Sequence, residues 1–267
     1  MPFVTLQSRD FYFERSGSGE RLLLIGGTGG DLRRPETRFE GPLARRFEVL
    51  SYDQRGLGRS YKGEDGAAFT MADYADDAAL LMDALGWDCA HVVGISFGGM
   101  VAQEFVLRHP GKVRRLILCC TAAGGAGGAS FPFHTLPYMS SGELAALKVK
   151  ISDIRHDEAW AKSNPVLYRQ LLALAAADPF VDEPGHREGA ARQLAARAGH
   201  DTWDRLPAIS CPVLVTGGRH DGTAKPAVVT ALAERIPGAR LCFFEGGHLF
   251  MLEDKNAYSA MVDFLSL

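Results

Sequence analysis

The stretch HVVGISFGGMVAQEF, residues 91–105, changes its pattern at its centre. Its first half is a short apolar run of β-branched character, which predicts a buried strand. Its second half spaces apolar residues by three and four and ends before Pro110, which predicts a helix. Only Ser96 separates the two. A strand that turns into a helix through one residue strains that residue's backbone, and a bulky neighbour would clash there. Gly94 and Gly98 flank Ser96 at a spacing of two, with Gly99 following. The turn lifts the hydroxyl out of the sheet and sets it at a helix N-terminus, where free N–H groups favour developing negative charge. A Gly-x-Ser-x-Gly pentapeptide alone occurs by chance in about one chain in six of this glycine content. Its weight comes from the strand and helix around it.

Similar runs lie on both sides. Residues 3–6 and 10–14 predict an antiparallel hairpin. RLLLIGG (21–27), RRFEVLSYD (45–53), CAHVVGI (89–95), VRRLILCC (113–120), CPVLVTGG (211–218) and ARLCFFEGG (239–247) each predict a buried strand. Helical patterns alternate with them. Residues 70–86 read as a helix capped by Thr70 and stopped by Gly86, PAVVTALAERIP (226–237) as another, and residues 249–265 as a single helix. The alternation predicts an α/β class with an eight-stranded, mostly parallel sheet flanked by helices. It breaks once, over residues 124–206, where the pattern turns helical in SGELAALKV, PVLYRQLLALAAAD and HREGAARQLAARAG. This predicts a helical cap inserted into a core formed by residues 1–123 and 207–267. The glycine run at 124–128 reads as a flexible hinge.

Composition narrows the function. The chain has 267 residues, 46% hydrophobic and 23% charged, and a net charge of −3, which gives no footprint for nucleic acid. No apolar stretch approaches ~18 residues and no secretory signal core opens the chain, so the expectation is a cytoplasmic protein without membrane contact. The five cysteines, Cys89, Cys119, Cys120, Cys211 and Cys242, match no zinc spacing and read as small core residues. No metal is expected. Oligomeric state is not legible.

A serine hydroxyl needs a base, and the base needs a carboxylate. Of eight histidines, His248 in EGGHLF follows a strand end in a glycine turn near the C-terminus. Asp221 in GGRHDGTAKP follows the preceding strand. The chain order is Ser96, Asp221, His248, and all three fall at carboxyl ends of strands, where open α/β sheets build sites. Asp53 and Arg55 in YDQRGLGRS read as a structural loop held by an Arg–Asp pair or a Ser60 bond. His91, His109 and His200 read as structural, and His220 as a surface neighbour of the site.

LLLIGGTGG, YDQRGLGRS, GISFGGMVAQEF, RHPGKVRRLIL, GGRHDGTAKP and EGGHLFMLE occur in this order along nearly the whole chain. In this the chain resembles α/β-hydrolase fold enzymes, in particular the small cap-bearing branch of enol-lactonases, short-chain esterases, cofactor-free perhydrolases and C–C bond hydrolases. The resemblance implies Ser96 as nucleophile, Asp221 as acid and His248 as base. It implies the backbone N–H groups of Phe97 and Thr28 as an oxyanion hole, and no cofactor. The chain departs from it at Gly26, where a histidine usually stands. The implied function is hydrolysis of a small carboxylic ester or lactone through an acyl-enzyme. Two alternatives stay open. One is cleavage of a C–C bond in a vinylogous diketone, which Ile95 before the nucleophile disfavours. The other is a ligand-sensing protein that does not turn over. Phe131, Phe133, Trp160 and Tyr168 are candidates for the substrate pocket, within a set that also holds His134, Tyr138, Phe180 and His186. Arg155 and Arg169 are candidate partners of a substrate carboxylate, with a solvated helix face as the other reading.

Overall fold

The computed structural model describes residues 2–35, 38–63, 68–136 and 139–267; Tyr138 lies outside them. Eight strands form one sheet: β1 (Phe3–Leu6), β2 (Arg9–Ser16), β3 (Glu20–Ile25), β4 (Phe47–Tyr52), β5 (Ala90–Ile95), β6 (Val113–Cys119), β7 (Val213–Gly218) and β8 (Arg240–Phe244). Their order is β1-β2-β4-β3-β5-β6-β7-β8. β1 and β2 pair antiparallel, β2 joins β4 antiparallel, and every later pair is parallel. Leu22–Leu24 of β3 lie between Val49–Ser51 of β4 and His91–Val93 of β5. Every residue of β5 is buried, as a central strand covered on both faces requires.

Helices α1 (Met71–Ala84), α2 (Phe97–Arg108), α7 (Pro226–Arg235), α8 (Phe250–Glu253) and α9 (Lys255–Leu265) accompany the strands. α1 begins with a capping box. The Thr70 hydroxyl accepts the Asp73 N–H at 3.2 Å, and the Asp73 carboxylate accepts the Thr70 N–H at 2.8 Å. Between β6 and β7 come α3 (Ser141–Ser152), α4 (Glu158–Ser163), α5 (Pro165–Ala176) and α6 (His186–Ala198), with no strand among the described residues.

Two local expectations need correction, and one helix lies outside the sequence patterns. Residues 249–265 form two helices, not one, because Asp254 is extended and its carboxylate caps α9 by accepting the Asn256 N–H at 2.9 Å. The same carboxylate accepts the Glu245 N–H at 3.0 Å, which ties the break to the end of β8. α4 has no apolar period in the sequence; the Asp157 carboxylate starts it by accepting the Trp160 N–H at 2.8 Å. The glycines at 124–128 form a packed turn. A Cβ at Gly124 would strike the His200 carbonyl, and one at Gly127 the Trp203 ring.

Topology places the site. The parallel strands all end at one edge of the sheet. The chain leaves β3 toward β4 on one side, then returns to place β5 on the other side of β3. The switch point therefore lies between the ends of β3 and β5, where such sheets open a crevice. Gly26–Thr28 and Ser96 follow those two strands.

Candidate active site

Ser96 stands between β5 and α2 with φ +55° and ψ −113°, a conformation that costs a non-glycine residue on the order of 1–3 kcal/mol. The surroundings hold it there. Its N–H donates to the Cys119 carbonyl at 2.9 Å, and its own carbonyl accepts from Gly99 at 2.9 Å and Met100 at 3.3 Å. The two flanking glycines are required by close approach. A Cβ at Gly98 would fall on the carbonyl oxygens of Ile25 and Gly26, and one at Gly94 on the Gly98 carbonyl.

The Ser96 Oγ lies 2.9 Å from His248 Nε2. His248 Nδ1 lies 2.7 Å from Asp221 Oδ2. The other oxygen of Asp221 accepts the N–H groups of Thr223 at 2.7 Å and Ala224 at 2.9 Å. Asp221 is buried, so its orientation is fixed by these three contacts. A carboxylate on Nδ1 selects the tautomer that carries its proton there and leaves the Nε2 lone pair toward the serine hydroxyl.

Two turns carry Asp221 and His248, and the end of α3 joins them. The Ile151 carbonyl accepts the Gly222 N–H at 3.0 Å, and the Ser152 carbonyl accepts the His248 N–H at 2.5 Å. Ile154 N–H donates back to the His220 carbonyl at 2.9 Å. The last carbonyls of a helix lack partners within it, and here they are spent on the two loops of the site. The negative end of α3 thus lies beside His248.

Phe97 is the first residue of α2, so its N–H is one of the four without an acceptor inside the helix. The loop after β3 approaches the same serine: a Cβ at Gly27 would sit 3.5 Å from the Ser96 Cβ. Three bonds hold this loop. Gln54 donates to the Gly26 carbonyl at 2.9 Å, Gly30 N–H to the Gly27 carbonyl at 3.2 Å, and Gly29 N–H to the Gln193 side-chain oxygen at 2.9 Å. Thr28 lies within the loop so held. A Cβ at Gly26 would meet nothing within 4 Å, so the missing histidine leaves open space without displacing the backbone.

The Asp53 loop is structural. Asp53 accepts the N–H groups of Leu32 at 2.7 Å and Arg59 at 2.8 Å, and burial pushes its carboxyl up to about 6. Ser60 donates to the Asp53 carbonyl at 2.5 Å. The Arg–Asp pair exists, but the partner of Arg55 is Asp77 on α1, at 2.5 and 2.7 Å. His91 packs edge-on against Phe47, His109 meets Asp76 at 2.8 Å, and His200 meets the Ala122 carbonyl at 3.1 Å. His220 lies 3.4 Å from Glu245. Burial raises the Cys119 thiol to about 12 and the Cys120 thiol well above its ordinary value, so both stay protonated.

The pocket candidates separate. Phe131 donates its N–H to the Thr223 carbonyl at 2.7 Å and lines a cavity of about 40 Å³ with Met100, Arg197 and His200; Phe133 meets its ring edge-on at 5.1 Å. The Trp160 and His156 rings lie 4.1 Å apart, tilted by 34°. Tyr168 lines a second cavity, of about 750 Å³, between α3, α4 and α5. Ser96 and His248 line neither cavity. Arg155 is taken by Asp153 at 2.5 Å and Glu253 at 3.2 Å, and Arg169 is exposed. Gln193 and Arg197 escaped the sequence reading. In the sequence they lie on a polar stripe of α6, Gly189, Gln193 and Arg197, and only the structure shows that this stripe is buried. Among the described residues, no cluster of three or more His, Cys, Asp or Glu could hold a metal ion, and no helix is long and apolar enough to cross a membrane.

A family model described as alpha/beta hydrolase fold matches residues 20–255. The protein named "Putative carbamate hydrolase RutD" from Azorhizobium caulinodans is 28% identical over 265 residues, which cover 98% of this chain and 97% of that protein. A proline iminopeptidase from Lactobacillus delbrueckii subsp. lactis is 26% identical and covers 90% of this chain and 87% of its own length. The crystal structure of the enol-lactonase from Burkholderia xenovorans LB400 superposes with a TM-score of 0.78, at 26% identity, over 100% of both chains.

Proposed function

The chain belongs to the α/β-hydrolase fold family, and from that premise we propose that it is a serine hydrolase acting on a small carboxylic ester or lactone. The observation that supports this most is the run of hydrogen bonds from Asp221 through His248 to Ser96, at 2.7 and 2.9 Å. It ends on a strained serine at a helix N-terminus. A merely structural serine needs neither the strain nor the base.

In this reading His248 Nε2 takes the Ser96 proton as Oγ attacks the substrate carbonyl carbon. The Phe97 and Thr28 N–H groups face the oxyanion, an interaction worth about 3 kcal/mol per donor. The tetrahedral centre collapses by breaking the bond to the leaving oxygen, which takes the proton from His248. Water then gives a proton to His248 as it attacks the acyl group, and the second collapse returns Ser96 with its proton and frees a carboxylic acid. Asp221 stabilises the imidazolium throughout. Residues 124–206 serve as the cap over this edge, joined to the site through α3 and α6.

The test is product formation, followed by chromatography, on a panel of short esters, lactones, a carbamate and a prolyl amide. Wild type and Ser96→Ala are run side by side. The expected result is serine-dependent turnover of an ester or lactone. Turnover of the carbamate or amide alone would move the substrate class. Full activity in Ser96→Ala would end the reading.

A further inference from the structure

Arg197 is 7% exposed and has no carboxylate partner among the described residues. One of its nitrogens, Nη2, donates to the Ser130 hydroxyl at 2.8 Å and the Phe131 carbonyl at 3.0 Å. The face of Phe133 lies 4.8 Å from the guanidinium carbon. Nε and Nη1 have no partner among the described residues. The other deeply buried guanidinium, Arg55, is neutralised by the bidentate Asp77. A cation taken out of water without a counter-ion costs several kcal/mol.

The cation borders the cavity of about 40 Å³, which exceeds the space of one water, and none of its lining residues is acidic. His200 lines it too. Burial holds that imidazole down to about 4, so it is neutral, and its Nδ1 has no partner. The cavity is tied to the site from two sides. Met100 lies one turn of α2 beyond Ser96, about 5.4 Å along the axis. Phe131 is bonded to Thr223, whose N–H holds the Asp221 carboxylate. Along α6, Arg197 lies one turn beyond Gln193, which holds the loop of Thr28.

The geometry points to Arg197 as the residue that binds a free carboxylate carried by the ester or lactone whose carbonyl meets Ser96. This rests on the acyl-transfer reading above. Monoethyl glutarate, a short ester that carries a free carboxylate, is the probe, and diethyl glutarate is its neutral counterpart.

The experiment measures acid release from both esters by wild type, Arg197→Met and Arg197→Lys, with melting temperatures to check folding. Wild type is expected to favour the monoester in kcat/KM. Arg197→Met is expected to shrink the monoester-to-diester ratio at least tenfold through KM, with Arg197→Lys between the two. An unchanged ratio in folded variants overturns the proposal: Arg197 is then a tether for residues 130–131, and the cavity holds water only. A second arm needs no variant. Glutarate is expected to inhibit diester hydrolysis at least tenfold more strongly than glutaramide, and equal inhibition overturns the proposal. If wild type cleaves neither ester in a serine-dependent way, the acyl-transfer reading fails for this class. Calorimetric binding of glutarate to Ser96→Ala, lost in the double variant with Arg197→Met, then still supports the carboxylate site. No binding removes it.

Discussion

The sheet edge and the helical segment between β6 and β7 are built on different principles. At the edge, Ser96, Asp221 and the loop after β3 are held by backbone groups within a buried frame. In the helical segment, α5 has no buried residue and exposes Val166, Leu167 and Leu174, and many contacts there are ion pairs and ring contacts. The groups proposed to react would tolerate little displacement, and they sit where the whole core fixes them. The helical segment, which in the proposed function meets the substrate, can change its side chains without disturbing that frame. Two places join the regions: the carbonyl end of α3, which bonds to the turns of Asp221 and His248, and the face of α6 that carries Gln193 and Arg197.

The largest expected effect lies at the edge. Ser96→Ala should lower kcat by at least about 10⁴-fold with the melting temperature intact, and Asp221→Asn should lower it by a similar factor through the wrong imidazole tautomer. Turnover kinetics and a thermal melt check both. Loss of folding along with activity would blur the distinction between chemistry and frame.

Next comes the frame itself. Asp77→Ala leaves Arg55 buried without its acid and should destabilise the fold by about 3–5 kcal/mol in chemical denaturation. A loss under 1 kcal/mol would mean that water or Asp73, 3.3 Å from Arg55, takes over.

His200 lies where the two regions meet, and burial holds it down to about 4 against an ordinary 6.5. The folded state disfavours its proton. Its contribution to stability is therefore complete above about pH 6.5 and is lost as the pH falls through 4, for a total of about 3 kcal/mol. Asp53, pushed up to about 6, works in the opposite sense: it costs stability as the pH rises from about 4 to 6. The informative quantity is thus the difference between wild type and His200→Gln. Denaturation at pH 7 and pH 4 should show the variant losing about 2–3 kcal/mol less than wild type. Parallel curves would show that His200 does not titrate in this window.

The smallest effect is expected on the outer surface of the helical segment. Arg187 and Asp182 form an exposed pair, and Arg187→Ala should change stability by less than about 0.5 kcal/mol. A larger loss would contradict the view that this face is free to vary.

The sequence by itself determined the eight strands, their mostly parallel arrangement and the turn at Ser96, and it singled out Asp221 and His248 as the candidates that the fold brings within hydrogen-bond distance. These follow from local rules: apolar period, glycine where backbones approach, and the strand ends that parallel topology gathers at one edge. Tertiary structure alone decided the rest. The acid beside Arg55 is Asp77, 22 residues away, and not the nearby Asp53. The break at Asp254 depends on Glu245 at the end of β8. The bonds of α3 to Gly222 and His248, and the lack of an acid at Arg197, depend on which elements the fold brings into contact. A sequence displays which residues carry charge. Which charges are neutralised depends on distances of a few ångströms between segments far apart in the chain, because the interaction is strong only where water is excluded.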